Sequence, residues 1–118
     1  MKTADRVQDT SSTTGTGNFT LSGTPPTQYQ AFGSRFDVGN SFHYAIIQGG
    51  GSGLWEVGIA TLLTATTFSR DVVLDGSSGP GTNVTFSGAT TVFNDLPAAF
   101  VNNTYGTLIG YSNNWMLI

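Results

Sequence analysis

The chain has 118 residues, a formal net charge of −3, no Cys, and charged side chains at only 9% of positions, against about 25% in an ordinary globular domain. The acidic balance, without Lys/Arg clusters, argues against phosphate-driven nucleic-acid binding, and the missing Cys removes disulfide scaffolds and thiolate chemistry. No apolar run approaches the ~20 residues of a membrane span, and the N-terminus lacks the apolar core of a signal peptide, so a product that is intracellular at synthesis is expected.

Composition favours strands. Eight Phe, four Tyr and two Trp suit a pleated, half-buried surface. Glu and Lys occur once each (Glu56, Lys2) while Thr occurs 18 times, so straight-chain helix formers are scarce. Four of the eleven charges (Lys2, Asp5, Arg6, Asp9) fall in the first nine residues. The rest of the chain must stay soluble on hydroxyls and amides, which are also the currency of wet protein interfaces.

In chain order, residues 1–17 carry those charges and then a Thr/Ser/Gly run with Val7 as almost the only apolar residue. They read as an extended N-terminal arm that leaves residues 18–118 as a single β domain. Residues 18–22 alternate polar and apolar, as a half-buried strand does, and Gly23-Thr24-Pro25-Pro26 ends the run. Tyr29 to Phe36 is a second strand candidate with Phe32 and Phe36 in the core, and residues 37–40 supply turn chemistry. The strongest local signal is a hairpin: residues 41–48, the loop Gly49-Gly50-Gly51-Ser52-Gly53, and the return strand 54–62. Alternation groups Phe42, Tyr44 and Ile46 on one face of the first strand, and Trp55, Val57 and Ile59 on one face of the second. Residues 66–70 and 71–74 are short strand candidates before the loop at 75–81. Residues 83–87 and 91–96 alternate again, and Pro97-Ala98-Ala99-Phe100 is the one plausible helical turn. A final strand and tail at 102–118 ends on Trp115, Met116, Leu117 and Ile118, four consecutive apolar residues that need cover. Short strands between Gly-rich turns predict an all-β fold, a small antiparallel barrel or sandwich.

No constellation carries chemistry. The single His, His43, has Ser41 and Asp37 nearby only along one extended segment, whereas a triad converges from separate elements. Among Glu56, Asp71, Asp75 and Asp95, two carboxylates in principle make a glycosidase pair, but Asp71 follows Arg70 and Asp75-Gly76 is a turn dipeptide. The 75–79 loop lacks the spaced carboxylates and closing Glu of a calcium loop. Zinc lacks ligands, and the Gly49–Gly53 run lacks the Lys and helix of a phosphate loop. Matches to the glycosylation sequon at Asn18, Asn83 and Asn102 are expected by chance in a chain this rich in Asn and Thr. The expectation is a non-enzyme without cofactor or metal.

Three stretches together resemble a family of small β domains in tailed-bacteriophage structural proteins. They are Ala4-Asp5-Arg6-Val7-Gln8-Asp9-Thr10 running into Phe19-Thr20-Leu21-Ser22-Gly23; the hairpin segments Tyr44-Ala45-Ile46 and Leu54-Trp55-Glu56-Val57-Gly58; and residues 68–79 followed by 84–87 and 92–98. The resemblance implies a virion component without catalytic activity, made in the bacterial host cytoplasm. In such proteins the domain often heads a longer tail-fibre-like chain. A free-standing copy fits a capsid decoration (cement) protein, a trimer clamping the major capsid protein or other virion proteins. A tail adaptor, fibre-base or knob protein is the alternative. A carbohydrate-binding module, using Tyr29, Tyr105, Tyr111 and Trp115 as a platform, is a second. On the decoration reading the arm docks by strand addition, with Asp5, Arg6, Val7, Gln8 and Asp9 setting register, while Trp115 to Ile118 pack on a neighbour. Removing residues 1–17 is then expected to abolish attachment and leave the domain folded.

Overall fold

A computed structural model describes residues 1–95. The expectations placed at 97–100 and 102–118, among them the contact residues Trp115, Met116, Leu117 and Ile118, lie outside the described residues.

The chain forms β1 (Gln8–Ser11), β2 (Phe19–Thr20), a single helical turn α1 (Phe32–Arg35), β3 (Ser41–Gln48), β4 (Trp55–Thr64), β5 (Thr67–Gly76) and β6 (Thr90–Asn94). The strands make one antiparallel sheet in the order β1-β6-β3-β4-β5-β2. A bridge between Ser11 and Leu21, with Ser22 N–H donating to the Thr10 carbonyl at 2.9 Å, brings the two outer strands together. The sheet therefore nearly closes on itself, and the fold is the expected all-β antiparallel barrel.

The predicted hairpin is present, and its register shows what alternation alone left open. Phe42 lies opposite Ala60, Tyr44 opposite Gly58 and Ile46 opposite Glu56. Phe42, Tyr44 and Ile46 are fully buried, whereas Trp55 is exposed and Val57 and Ile59 are half-buried. The two predicted groups thus occupy opposite faces and do not pair with each other. Large side chains of β3 need small ones across from them, which β4 provides with Gly58 and Ala60. A Cβ on Gly58 would overlap the Val72 carbonyl oxygen and come within 2.8 Å of the Tyr44 hydroxyl. Only Gly lets the Tyr44 ring and the β5 backbone share that space.

Residues 66–70 and 71–74, read as two short strands, fall, Thr66 excepted, within the single strand β5. It is interrupted by register shifts between Val57 and Gly58 and between Ile59 and Ala60, which place Leu74 and Asp71 as extra residues of bulges on β5. Residues 29–36 form no strand. Phe32 and Phe36 do enter the core, but at the i, i+4 spacing of one helical turn, with Gly33, Ser34 and Arg35 exposed between them. Residues 83–87 contribute only a bridge from Phe86 to Gly15, with Val84 and Phe86 both buried.

The interior is aromatic. Phe36 and Phe42 stack with centroids 4.7 Å apart, and Phe19 meets Phe86 edge to face at 5.5 Å. Such contacts add to burial by about 0.5–1.5 kcal/mol each.

The N-terminal segment is extended, as expected, and it lies along the barrel rather than reaching away from it. β1 pairs with β6 over Gln8–Ser11, and Val7, Asp9 and Ser11 are buried. Polar contacts replace the apolar residues it lacks. Asp9 accepts hydrogen bonds from the Ser22 hydroxyl and from the Gly23 N–H (2.9 Å), and Ser11 Oγ donates to the Thr20 carbonyl at 2.6 Å. A hydropathy reading is blind to a strand held this way.

Candidate interaction surface

The strongest chemistry in the described residues is inside the barrel. Glu56 and Arg70 form an ion pair at 3.0 Å with side chains 0% and 1% exposed. Glu56 Oε1 also accepts the Val84 N–H at 2.7 Å, and Tyr44 Oη donates to Oε2 at 2.5 Å. Arg70 donates to the carbonyls of Val84, Gly15 and Gly17, each at 3.1 Å, and its guanidinium lies 4.9 Å from the Phe19 ring centroid. Burial first, and then the hydrogen bond and charge of Glu56, push the Tyr44 phenol far above its ordinary value, so it remains a donor throughout the usual pH range. Every partner here is backbone or core. The pair ties the 15–17 and 84–86 loops across one end of the barrel and offers no open position to a substrate.

His43 is buried on β3, and its pKa is lowered by burial and by the N-terminal ammonium, against an opposing pull from Asp95. Its carbonyl accepts from Asn94 Nδ2 at 2.6 Å and from the Asp95 N–H at 3.3 Å, which fastens the end of β6 to β3. No group of three or more metal-ligating side chains exists among the described residues, and none of their helices is long and apolar enough to cross a membrane.

The outward face of β6-β3-β4-β5 has the opposite character. The ladder aligns Phe93, Ala45, Val57 and Asp75 in one row. A second row holds Thr91, Ile47 and Trp55, and a third His43, Ile59 and Val72. Ile47 is 46% exposed, Trp55 39% and Val72 46%. Its rows bear no Lys or Glu; on the β5 side Asp71 Oδ1 and Oδ2 accept from the Ser69 (2.6 Å) and Thr61 (2.5 Å) hydroxyls, and Asp95 follows β6 beside His43. Ala45 and His43 in the same rows are buried, so the exposed apolar residues are Ile47 and Trp55 at one end and Val72 at the other, which makes this face the candidate interaction surface.

The N-terminal contact residues separate. Val7 and Asp9 are buried in their own barrel, where Val7 belongs to the core cluster and Asp9 caps the turn after β2. Gln8 is half-buried, and Asp5 and Arg6 are exposed. Arg6 takes a left-handed φ of 57° and lays its guanidinium 4.1 Å from the Tyr29 ring centroid. It lines a groove with Gln8, Tyr29 and Phe93. Tyr29 is thus committed to Arg6, and Tyr105, Tyr111 and Trp115 lie outside the described residues.

Sequence reasoning missed two features. Glu56 lies between Trp55 and Val57 on a strand whose apolar residues were grouped on one face; that alternation put the sole Glu on the opposite face. The identity of that face as the interior depended on register. The outward role of Trp55 was hidden for the same reason. Comparison of the chain with family models, with curated proteins and with solved structures finds no match.

Proposed function

We propose that this chain is a non-catalytic structural component of a tailed-bacteriophage virion, a capsid decoration protein that binds and stabilises the head shell. The observation that carries the reading is the outward face of β3, β4 and β5, where Ile47 and Trp55 stand exposed side by side and the half-buried Val57 and Ile59 lead along β4 to the exposed Val72, without Lys or Glu in those rows. A surface of that composition gains free energy by being covered. The buried ionisable groups support the same reading, since Glu56, Arg70 and Asp9 are spent on holding loops. The sequence resemblance described above supplies the virion context, with the major capsid protein as the partner. Contact then runs through the barrel wall, while β1 serves the fold.

Quantitative mass spectrometry of purified particles tests this. The expected result is a stoichiometry near one copy per major capsid protein, or a simple fraction of it. A handful of copies per particle would overturn the shell role and place the protein at the tail; absence from particles would overturn the virion reading altogether.

A further inference from the structure

Arg6 and Gln28 are the two non-Gly residues with left-handed backbone among the described residues, at φ 57° and 73°. Such a conformation costs about 1–3 kcal/mol and persists only where its surroundings impose it. Here both residues serve one side chain. Tyr29, next to Gln28, stacks on the Arg6 guanidinium at 4.1 Å, and the Gln28 carbonyl accepts from Arg6 Nε at 3.4 Å. The Gln30 N–H donates to the Arg6 carbonyl at 2.6 Å, and the Gln30 side-chain amide donates to the Asp5 carbonyl at 3.0 Å, so the backbone is tied down as well. The guanidinium is thus held by one ring face and by Nε. Its two terminal nitrogens bind nothing among the described residues.

Arg6 lines a groove with Val7, Gln8, Tyr29, Phe93 and Asn94. Its volume of about 360 Å³ is at the small end of the ~300–1,000 Å³ typical of ligand sites, enough for a side chain or two. Phe93 is half-buried and supplies an apolar wall. Asn94 is already committed, with Oδ1 accepting from the Ala4 N–H at 3.0 Å and Nδ2 donating to the His43 carbonyl at 2.6 Å. A planar fork with free N–H groups beside an apolar ring matches a carboxylate that has an apolar neighbour. The surrounding charge narrows the class further. Asp5 and Asp95 line the adjoining depression with Thr3 and Ala4. Neither pairs with Arg6, because Glu56–Arg70 is the one ion pair among the described residues. Arg6 stays available, yet two nearby carboxylates repel any further negative charge. That field suits a single carboxylate held by contact and disfavours a phosphate dianion or a polyacidic run.

We propose that this groove binds one Asp or Glu side chain of an extended partner segment, with its carboxylate bidentate on Arg6 and an apolar residue two positions away against Phe93. Residues two apart point the same way from an extended chain, about 7 Å from each other, so one segment supplies both contacts. Tyr29 and Gln28 are positioning residues. They leave the fork little freedom to lose on binding. The proposal goes beyond the decoration role and does not depend on it. Particles can lack the protein while the groove binds, and the reverse.

Titration of the full isotope-labelled chain by heteronuclear NMR, with the N-acetylated, C-amidated pentapeptide Leu-Ala-Asp-Ala-Leu, tests it. Saturable shifts are expected at the Arg6 Nε–H and at the Gln8 and Phe93 amides, with a dissociation constant on the order of 1 mM. Spectral dispersion reports whether each variant folds. Arg6→Gln should abolish the shifts, and Arg6→Lys, which keeps the charge without the fork, should weaken binding by about tenfold. Tyr29→Leu should weaken it by about threefold with the charge intact, and Asp5→Asn should tighten it by about twofold. Equal binding of Leu-Ala-Asn-Ala-Leu would overturn the proposal. So would tighter binding of the phosphoserine analogue, binding only to a pentapeptide with a free C-terminal carboxylate, or shifts confined to residues outside the groove. The peptide comparisons use the unsubstituted chain, so they decide the matter even where a variant fails to fold.

Discussion

Alternate residues of β4 face two different worlds. Glu56, inward, is fully buried with a charge, while Trp55, its neighbour, holds a large apolar ring 39% exposed. The usual distribution of polar and apolar side chains is inverted over those two positions, and each inversion has a partner that accounts for it or calls for one. Glu56 has Arg70, Tyr44 and the Val84 N–H. Trp55 has Ile47 beside it on β3, and Ser77 on its other side binds its backbone. The inner polar residue is satisfied within the chain; the outer apolar one is complete only when something covers it. On the proposed reading, fold and binding are carried by opposite faces of the same strand, and perturbations should sort accordingly.

The largest effect should come from removing residues 1–17. The deletion takes away β1, buried Val7 and Asp9, and the carbonyls of Gly15 and Gly17 that Arg70 binds. Loss of cooperative thermal unfolding is expected, in place of the folded remainder that a free arm would leave. Next, Arg70→Met strands Glu56 in the interior and should cost about 3–5 kcal/mol in urea unfolding. Adding Glu56→Leu should cost less than the sum of the two single changes, because the second removes the stranded charge. Gly58→Ala drives a methyl group into the Val72 carbonyl and should cost at least about 1–3 kcal/mol by the same measurement.

A smaller, pH-dependent effect belongs to His43. Its folded pKa lies below its ordinary value near 6.5, chiefly through burial. The unfolded chain therefore binds the proton more readily, so this contribution to stability is complete above the unfolded pKa and is lost as pH falls through it. Melting temperature should drop on acidification through that range, and His43→Gln should flatten that part of the profile. At the bottom of the scale, Trp55→Ser should change unfolding free energy by no more than about 0.5 kcal/mol. A large loss of stability there would erase the contrast between the two faces.

Much of the fold was legible because β-strand alternation and Gly-rich turns are local. The hairpin of β3 and β4, the turn at 37–40 and the core roles of Phe32 and Phe36 follow from neighbouring residues. What stayed hidden depended on partners far along the chain. β1 reads as polar coil until Ser22, Gly23 and Thr20 come to its aid. α1 replaces a strand because Phe32 and Phe36 must both reach the same core. The Glu56–Arg70 pair links residues fourteen apart and then loops at 15–17 and 84, which no local pattern reports. The exposed face was invisible for a simpler reason: alternation says which residues share a side, and only the ladder says which side is out.

Peptide-resolved hydroxyl-radical footprinting of Trp55 and Val72, in the dilute free chain and in its native assembly, tests the central claim most directly. Strong protection of both residues on assembly, with the N-terminal depression at Thr3 to Asp5 unchanged, is the predicted result. Equal labelling of Trp55 and Val72 in the two states would contradict it, because the barrel wall would then not be the surface through which the protein binds.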